Sequence, residues 1–302
     1  MGRLDGRVAI VTGAGRGLGR AHALFLASEG AWVVVNDLGG DVHGAGSDSS
    51  PAREVAREIE ARGGRAINSH HDVADWEQAR ELVQLAVETF GDLHVLVNNA
   101  GILRDRTLAN MTAEEWDAVI RVHLRGHAAP TRHAMAYWRD RSRAGHLVKA
   151  SLIHTTSVAG FAGSFGQANY SAAKAAVIAL SRVAVLEGGR YGVRSNAVSP
   201  SARTRISLAV PAGGTTPPAA PPPGTFDRLD PGNVSPLIGW LAAADCPATS
   251  QVFHLIGDRL IVSSMPPIVH DLRTHGQWTL EALDRALSGR LVSPLTIEDF
   301  LE

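Results

Sequence analysis

The distribution of apolar residues divides the first 200 positions into short apolar runs and longer periodic segments. The short runs are rich in β-branched residues and show no polar alternation, which is typical of strands buried on both faces of a parallel sheet. They predict strands at residues 7–12, 31–36, 93–99, 151–157 and 193–199.

Between these strands, apolar residues recur at the three- and four-residue spacing of one helix face. Pro51 follows serines, aspartate and glycines, as expected where a helix opens with a cap and a proline in its first turn. Alternating strands and helices favour βαβ units with right-handed crossovers, and therefore an α/β fold with a doubly wound, Rossmann-type, mostly parallel sheet. The predicted helices are 18–28, 51–62, 76–90, 113–137 and 169–187.

The regular alternation does not continue to the end of the chain. Residues 211–224 read PAGGTTPPAAPPPG, which is too rich in proline and glycine for a helix or strand. They predict a surface loop within a lid-like insertion at about 205–230. A helix at 234–244 and a strand at 251–256 follow and can complete the same sheet. A single catalytic domain at residues 1–257 is therefore favoured over two domains.

The last residues carry no motif that we can name. An amphipathic pattern at residues 279–288 predicts one helix there. We interpret residues 258–302 as a C-terminal tail that packs on the same domain or at a subunit interface.

Composition and charge exclude several classes of function. The 302 residues are 45% hydrophobic and 20% charged, as in globular proteins. The formal net charge of −1 gives no basic excess for binding nucleic acid or an anionic membrane. The single Cys246 cannot form an internal disulfide, and the N-terminal apolar run is too short for a signal peptide. We expect a cytoplasmic protein with a small-molecule substrate.

A glycine-rich segment, TGAGRGLG from Thr12 to Gly19, directly follows the first predicted strand and opens the first predicted helix. Glycines there let the backbone turn sharply and approach a pyrophosphate, which binds at the positive N-terminus of the helix. The second strand is followed by Asp37, a residue type that hydrogen-bonds the ribose hydroxyls of NAD and repels the 2′-phosphate of NADP. Arg16 argues for NADP, because a basic residue there can bind that phosphate. We expect NAD, since Asp37 reaches the 2′ position directly.

Tyr170 and Lys174 share one face of a predicted helix. An ammonium group beside a phenol favours the phenolate, so we expect Lys174 to lower the pKa of Tyr170 from its usual value of about 10. Tyr170 is then a candidate general acid or base toward an alcohol or a carbonyl. Ser157, at the end of a predicted strand, offers a hydroxyl to the substrate oxygen. Each feature taken alone also fits a surface pair or a structural serine.

Together these motifs resemble the short-chain dehydrogenase/reductase family over roughly residues 4–257. The glycine motif, the NNAG segment at 98–101, Ser157 and the Tyr170/Lys174 pair match in order and spacing. The resemblance implies that Tyr170 donates and accepts the proton, Ser157 orients the substrate oxygen and Lys174 holds the nicotinamide ribose. It assigns cofactor contacts to Gly13, Arg16, Gly17, Leu18, Gly19, Asp37, Asp72, Val73, Asn99, Ala100, Gly101, Tyr170, Lys174, Pro200, Ala202 and Thr204.

Within this family, four segments are most similar to the (3R)-hydroxyacyl-CoA dehydrogenase part of multifunctional enzyme type 2 and its actinobacterial relatives. They read NDLGGD (36–41), LRDRTL (103–108), RVHLRG (121–126) and GQANY (166–170). His123 stands where most of the family has an asparagine that anchors a water in the proton relay. Those relatives share the histidine, so His123 joins the catalytic candidates.

The sequence is therefore interpreted as an NAD-dependent oxidoreductase that interconverts a secondary alcohol and a ketone. The substrate is expected to be a 3-hydroxyacyl-CoA or a hydroxysteroid-type hydrophobic molecule. Arg203 and Arg205 are candidate contacts to CoA phosphates, or else solvated surface charges. The loop at 209–226 is expected to order when substrate binds, and its flanks are apolar. Those flanking residues are Ile206, Leu208, Val210 and Phe226.

Two alternatives are open. A 3-oxoacyl-carrier-protein reductase would prefer NADPH, and a catalytically inactive dinucleotide sensor would typically lack the tyrosine or lysine. A metal site is disfavoured, because the histidines are scattered and lack ligand spacing.

The tryptophans fit packing better than stacking, although Trp138 and Trp278 are candidates for substrate contact. The family resemblance implies a homodimer or homotetramer formed through the helices carrying Trp116 and Tyr170.

Overall fold

The computed structural model describes residues 2–209, 218–263, 271–272, 277, 279–289 and 295–301. Val210, residues 211–217 of the proline-rich loop and Trp278 lie outside the described residues, and so do the expectations that depend on them.

One eight-stranded sheet forms the centre of the described structure, in the order β3-β2-β1-β4-β5-β6-β7-β8. All neighbouring strands are parallel except β7 and β8, which form an antiparallel pair. The strand order reverses between β1 and β4, which opens a crevice at the carboxyl ends of these strands. The strands are β1 (Val8–Thr12), β2 (Trp32–Asn36), β3 (Arg65–Ser69), β4 (Val95–Asn98), β5 (Ala150–Thr155), β6 (Val193–Ser201), β7 (Val252–Ile256) and β8 (Arg259–Ser263).

Helices cover both faces of the sheet and form two large cores, beside a small third cluster of Ile178, Ala197 and Val252. The first core includes α1, α2 and α9, and the second includes α3, α5 and α7. The helices are α1 (Gly17–Ser28), α2 (Ser50–Ala61), α3 (Trp76–Phe90), α4 (Ala113–Ile120), α5 (Gly126–Arg143), α6 (Ala159–Ala162), α7 (Ala168–Gly188), α8 (Arg205–Leu208), α9 (Ser235–Ala242), α10 (Leu280–Leu287) and α11 (Glu298–Leu301).

Strand β1 shows why the apolar runs have no polar alternation. All five of its residues are buried. Ala9 and Val11 enter the first core, whereas Val8 and Ile10 enter the second. Because successive side chains point to opposite faces, a strand covered on both faces must be apolar at every position. The predicted doubly wound α/β fold is confirmed.

Two strands were not predicted. β3 reads RAINS and β8 reads RLIVS, and neither is a continuous apolar run. In β8, Leu260 and Val262 are exposed while their neighbours are partly buried. This alternation is expected of an edge strand that packs on one face only.

The prediction of one helix at 113–137 is wrong. Helix α4 ends at Ile120, a π turn spans Arg121–Arg125, and α5 continues to Arg143. The amide of Gly126 donates to the Arg121 carbonyl, five residues back. Pro130, in the first turns of α5, has no amide to donate to the carbonyl four residues back, and its ring crowds that carbonyl. A locally widened helix next to such a residue is a known way to absorb the disruption.

The described end of the tail packs on the same sheet. Phe300 of α11 is 5% exposed, and its ring stacks on Phe161 of α6 with centroids 5.4 Å apart. Its carbonyl accepts hydrogen bonds from His254 (3.1 Å) and Arg259 (3.2 Å). The end of the chain thereby contacts α6, the helix that follows Ser157.

Trp138 does not contact substrate as suggested, because it lies in the second core. It is 1% exposed, and its indole nitrogen donates to the Leu93 carbonyl at 2.7 Å. The burial and the hydrogen bond identify it as a packing residue.

We expect Trp138→Phe to lower the free energy of unfolding by about 1–3 kcal/mol, because the Leu93 carbonyl loses its buried partner and a cavity remains. Trp76→Phe is the matched control: Trp76 is 44% exposed, and its variant should change stability by less than about 0.5 kcal/mol. Urea denaturation followed by circular dichroism measures both. Equal stabilities for the two variants would contradict this assignment.

Candidate functional site

The carboxyl ends of β1, β4, β5 and β6 meet at one edge of the sheet, as their parallel registers require. The glycine-rich turn, the NNAG segment, Ser157 and residues 200–204 follow or end these four strands. The fold thus brings the separated sequence motifs to a single crevice.

The ends of β1 and β4 are joined through the buried Thr12 side chain. Its hydroxyl oxygen accepts hydrogen bonds from the amides of Asn99 (2.9 Å) and Ala100 (3.1 Å). The Asn99 side chain returns a hydrogen bond to the Thr12 carbonyl at 3.0 Å. At Gly13, where φ is 63°, an added Cβ would lie 2.8 Å from the Ala100 Cα. The glycine-rich turn therefore packs directly on the NNAG segment, with no room for a side chain between them.

The N-terminus of α1 offers unsatisfied backbone donors. Arg16 occupies the cap position, and its side chain makes no capping hydrogen bond. Gly17, at the first position, is exposed, and a Cβ there would lie 3.5 Å from the Thr204 methyl group. Leu18 is partly buried against the first core. Free amides, the positive helix end and the absence of a side chain at Gly17 fit a phosphate group.

Asp37 lies beside this turn at the end of β2. One carboxylate oxygen accepts from the Gly15 amide at 2.8 Å and the other from the Gly39 amide at 2.7 Å. A carboxylate oxygen has more than one acceptor position, so both can also accept from ribose hydroxyls. Asp37 thus combines a turn-fixing role with the chemistry needed for an adenosine ribose. The residues present fit a dinucleotide.

Asp72 and Val73 follow β3, one strand beyond Asp37. The Asp72 carboxylate accepts from the Ala74 amide (2.8 Å) and from the Arg121 guanidinium (2.6 Å). Val73 is 6% exposed and belongs to the second core. The side chains of both residues are thus already engaged within the protein.

Tyr170 and Lys174 lie on α7, opposite the loop that follows β5. The Lys174 ammonium nitrogen lies 5.5 Å from the centre of the Tyr170 ring and donates to the Thr155 carbonyl at 2.7 Å. The Thr156 hydroxyl donates to the Lys174 carbonyl, also at 2.7 Å. These two hydrogen bonds tie α7 to the end of β5. They bring Ser157 close enough to Tyr170 for its hydroxyl to act on the pKa of the phenol.

The expected lowering of the Tyr170 pKa by Lys174 is wrong for this structure. Burial raises the pKa of Tyr170 to about 12, against a smaller opposing effect of the Ser157 hydroxyl. Burial also lowers the pKa of Lys174 to about 7. In both groups the loss of hydration disfavours the charged form, so the ligand-free site favours a neutral phenol.

His123 lies in the π turn and is 1% exposed. Its Nε2 lies 2.8 Å from the Ile102 carbonyl, and its ring meets the Tyr170 ring edge-on with centroids 5.1 Å apart. A Cβ at Gly101 would lie 2.5 Å from this imidazole. Burial holds the pKa of His123 well below its usual value, so the ring is neutral. His123 therefore contacts both the NNAG segment and Tyr170.

Asp105 is a site residue that the sequence did not single out. Its carboxylate accepts from the Gln167 side chain at 2.8 Å, and burial raises its pKa. Its negative charge contributes to the raised pKa of Tyr170. The LRDRTL segment was noted only for its resemblance, and the pairing with Gln167, 62 positions later, has no local signal.

The suggested role of Arg203 in binding CoA phosphates is not supported by its contacts. Its guanidinium pairs with Asp227 at 2.5 Å and donates to the Pro218 carbonyl at 2.8 Å. Its amide donates to the Leu229 carbonyl at 2.7 Å. Arg203 instead fastens the two ends of the inserted loop together, whereas Arg205 on α8 is exposed.

Three predicted cofactor contacts lie at or just beyond the end of β6. Pro200 lies within the strand and pairs with Leu255. Ala202 is 9% exposed. Thr204 caps α8 through the Ser207 amide and faces Gly17. Of these three, Thr204 lies nearest to the phosphate-sized opening at α1.

The described residues show neither a metal-binding cluster nor a membrane-spanning helix. They hold no group of three or more histidine, cysteine, aspartate or glutamate side chains arranged to bind a metal. No helix among them is long and apolar enough to cross a bilayer.

Several known proteins are similar to this chain in sequence and in fold. The family described as short chain dehydrogenase matches residues 7–207. The hydroxyacyl-CoA dehydrogenase ChsB1 of Mycobacterium tuberculosis is 45% identical over 270 residues, which are 87% of this chain and 81% of that protein. The peroxisomal multifunctional enzyme type 2 of Mus musculus is 40% identical over 253 residues, which are 84% of this chain. This chain spans only 32% of the mouse enzyme.

A solved structure agrees over nearly the whole length. The crystal structure of a short chain dehydrogenase from Mycobacterium avium matches with a TM-score of 0.85 and 46% identity, covering 98% of this chain and 99% of that one. The family expected from the motifs is confirmed. The chain belongs to the short-chain dehydrogenase/reductase family, and it is an oxidoreductase that acts on CH–OH groups with a nicotinamide dinucleotide.

Proposed function

We propose that this protein is an NAD-dependent dehydrogenase of 3-hydroxyacyl-CoA thioesters. The observation that carries the proposal is its 45% identity, over 87% of the chain, to a mycobacterial hydroxyacyl-CoA dehydrogenase. The crevice supports it with a tyrosine, a serine and a lysine joined across β5 and α7.

In the proposed reaction, the substrate hydroxyl binds between Ser157 and Tyr170. Tyr170 takes the hydroxyl proton when the alcohol is oxidised and returns it when the ketone is reduced. The bound dinucleotide supplies the hydride acceptor or donor. Ser157 holds the substrate oxygen, Lys174 orients the cofactor ribose, and His123 supports the tyrosine ring at its edge. Because its pKa is raised, Tyr170 carries its proton at neutral pH and is ready to donate it to a ketone. Oxidation of the alcohol requires the deprotonated tyrosine, so rising pH favours oxidation.

We expect Tyr170→Phe to lower kcat by about 100- to 10,000-fold, because the general acid–base group is lost. NADH affinity, measured by fluorescence titration, should change little. Tyr137→Phe is the matched control, since the Tyr137 hydroxyl donates to Asp92 (2.8 Å) outside the crevice. A Tyr170→Phe enzyme that kept more than about a tenth of wild-type kcat would exclude Tyr170 as the proton-transfer group.

The choice of NAD over NADP is proposed from Asp37. Its carboxylate is fixed by two backbone amides beside the glycine-rich turn. A 2′-phosphate placed there would meet a negative charge that cannot swing away, and like charges in a partly desolvated site repel strongly.

We expect the ratio of kcat/KM for NAD to that for NADP to fall by about tenfold or more in Asp37→Asn, which keeps the shape of the side chain but removes its charge. Asp37→Ala should narrow or reverse the preference as well, with weaker binding of both cofactors because Gly15 and Gly39 lose their acceptor. Asp41→Asn, in the following loop, serves as the charge-matched control. Equal use of both cofactors by the wild type would refute the proposed preference.

The proposed acyl substrate is supported by apolar side chains near the inserted loop. Leu208 and Phe226, on either side of it, are 53% and 60% exposed. Exposed apolar residues beside a catalytic crevice suit a bulky hydrophobic substrate better than a sugar or polyol.

Catalytic efficiency should be highest for a 3-hydroxyacyl-CoA, compared with the same acyl group on a carrier protein and with a 17-hydroxysteroid. The three substrates would be assayed under one set of conditions with NAD. Preference for the carrier-protein substrate would identify a 3-oxoacyl-carrier-protein reductase instead. Preference for a short polar alcohol would reject the whole class of substrates.

We also propose that the chain forms a homodimer or homotetramer through α4 and α7. Trp116 on α4 and Val183 and Leu186 on α7 are 37%, 45% and 69% exposed. Burying such side chains between two copies would remove apolar surface from water.

A further inference from the structure

A group of buried histidines lies behind the proposed catalytic residues. His123 and His127 are four residues apart at the junction of the π turn and α5, and His154 lies on β5. None is more than 1% exposed, and the rings of His127 and His154 stack with centroids 5.6 Å apart. We call these three residues, together with the buried Asn98 of β4, the histidine cluster. The proposed mechanism uses only His123.

The cluster holds several hydrogen-bonding atoms without a partner among the described residues. The Asn98 amide nitrogen donates to Thr131 (3.0 Å) and faces His154 Nδ1 (3.3 Å), but its oxygen is unpaired. Also unpaired are His154 Nε2, His123 Nδ1 and both nitrogens of His127. So many unpaired atoms are costly in a dry core, and internal water is the usual way of satisfying them.

Hydrogen bonding assigns donors and acceptors within the cluster. His123 Nε2 faces both the carbonyl (2.8 Å) and the amide (3.1 Å) of Ile102, so its Nδ1 is a donor in one tautomer and an acceptor in the other. Neutral His127 offers one acceptor and one donor. His154 accepts at Nδ1 from Asn98, so its Nε2 is a donor. The cluster therefore presents acceptor positions on Asn98 and His127 that a donor or a bridging water can use.

Lys174 is a strong donor at the edge of this cluster, because it bonds the carbonyl of Thr155, the residue after His154 on β5. Its side chain is 2% exposed, and its ammonium group, with three donors, makes one hydrogen bond, to the Thr155 carbonyl. The positive charge of Lys174 acts on all three histidines, adding to the effect of burial in lowering their pKa values. The titratable groups that face Lys174 are these histidines from the π turn, α5 and β5, and Tyr170 from its own helix. No carboxylate contributes to the pKa of Lys174.

We propose that His127 and His154 are positioning residues for Lys174: together with Asn98 and internal water, they solvate its buried ammonium group. Neutral imidazoles thus take the place that a carboxylate fills around many buried cations. A neutral imidazole stabilises the ammonium group of Lys174 by hydrogen bonding. A carboxylate would form a stronger ion pair with the ammonium and would hold it away from the cofactor. The proposal rests on the proposed role of Lys174 in the oxidoreductase reaction.

The sequence allows a direct test, because it contains only two lysines, Lys149 and Lys174. In cofactor-free protein labelled with 13C-lysine, NMR titration gives one side-chain resonance for each lysine. Lys149 is exposed and serves as the internal reference, and Lys149→Arg assigns the two signals. Lys174 is expected to titrate near pH 7 in the wild type.

Replacing His127 or His154 by leucine should lower the pKa of Lys174 by about one unit, because the ammonium loses an acceptor or a water site. His127→Gln keeps a hydrogen-bonding side chain, so the pKa of Lys174 in this variant should stay close to its wild-type value. His133→Gln is the control on the same helix, since His133 is paired with the Trp76 carbonyl at 3.0 Å. An unchanged titration of Lys174 in both leucine variants overturns the proposal.

A leucine variant that fails to fold does not prevent the test. In that case, 15N spectra of histidine-labelled wild type should show His127 and His154 nitrogens shifting as Lys174 titrates, and unchanged spectra overturn the proposal. The pH profile of kcat for ketone reduction, which uses protonated Tyr170, gives a second readout. In this profile, the loss of activity that accompanies deprotonation of Lys174 should move to lower pH in the leucine variants. If Tyr170→Phe remained active, the proposed function would fail while the NMR result would still stand.

Discussion

The reversal of strand order between β1 and β4 is the constraint on which the crevice depends. β1 and β4 pair as far as Val11 and Val97, and the turns that follow these strands are held together by a further link. Thr12 provides it, because one buried hydroxyl accepts from two consecutive amides beyond β4. Asn99 completes the link from the other side. The glycine-rich turn, the NNAG segment and the N-terminus of α1 are therefore positioned by the same few hydrogen bonds.

The parts of the site that could be predicted from sequence are those with local causes. An uninterrupted apolar run specifies a buried strand, and a glycine-rich turn between a strand and a helix specifies a phosphate-sized opening. The π turn could not be predicted, because a helix with five-residue hydrogen bonds has nearly the same apolar spacing as an ordinary one. Arg203 was misjudged for a similar reason: its partner Asp227 lies 24 positions later, and no local pattern joins the two. The spacing of Tyr170 and Lys174 predicts that they share a helix face, but it does not show how strongly the loss of hydration shifts their pKa values.

Burial gives the proposed catalytic pair its electrostatic character. The sequence predicts that Tyr170 and Lys174 stabilise each other's charged form. In the structure, burial shifts the pKa of each residue so that its neutral form is favoured. The protonation states of the Tyr170 phenol and the Lys174 amine therefore depend on how well each group is hydrated. The negative charge of Asp105 also raises the pKa of Tyr170. The polar residues around the pair therefore matter for its protonation as much as the direct contact between them.

The π turn has a consequence for how this segment can vary in length. Five-residue hydrogen bonding accommodates one more residue than an ordinary helical turn, so the segment Arg121–Arg125 is equivalent to a helix carrying a single insertion. Deleting one residue there would restore regular winding but rotate α4 against α5 by about 100°, one residue's turn of a helix. His123 would leave the Tyr170 ring, and Arg121 would leave Asp72. A one-residue deletion at this position would therefore break the His123–Tyr170 and Arg121–Asp72 contacts at the same time.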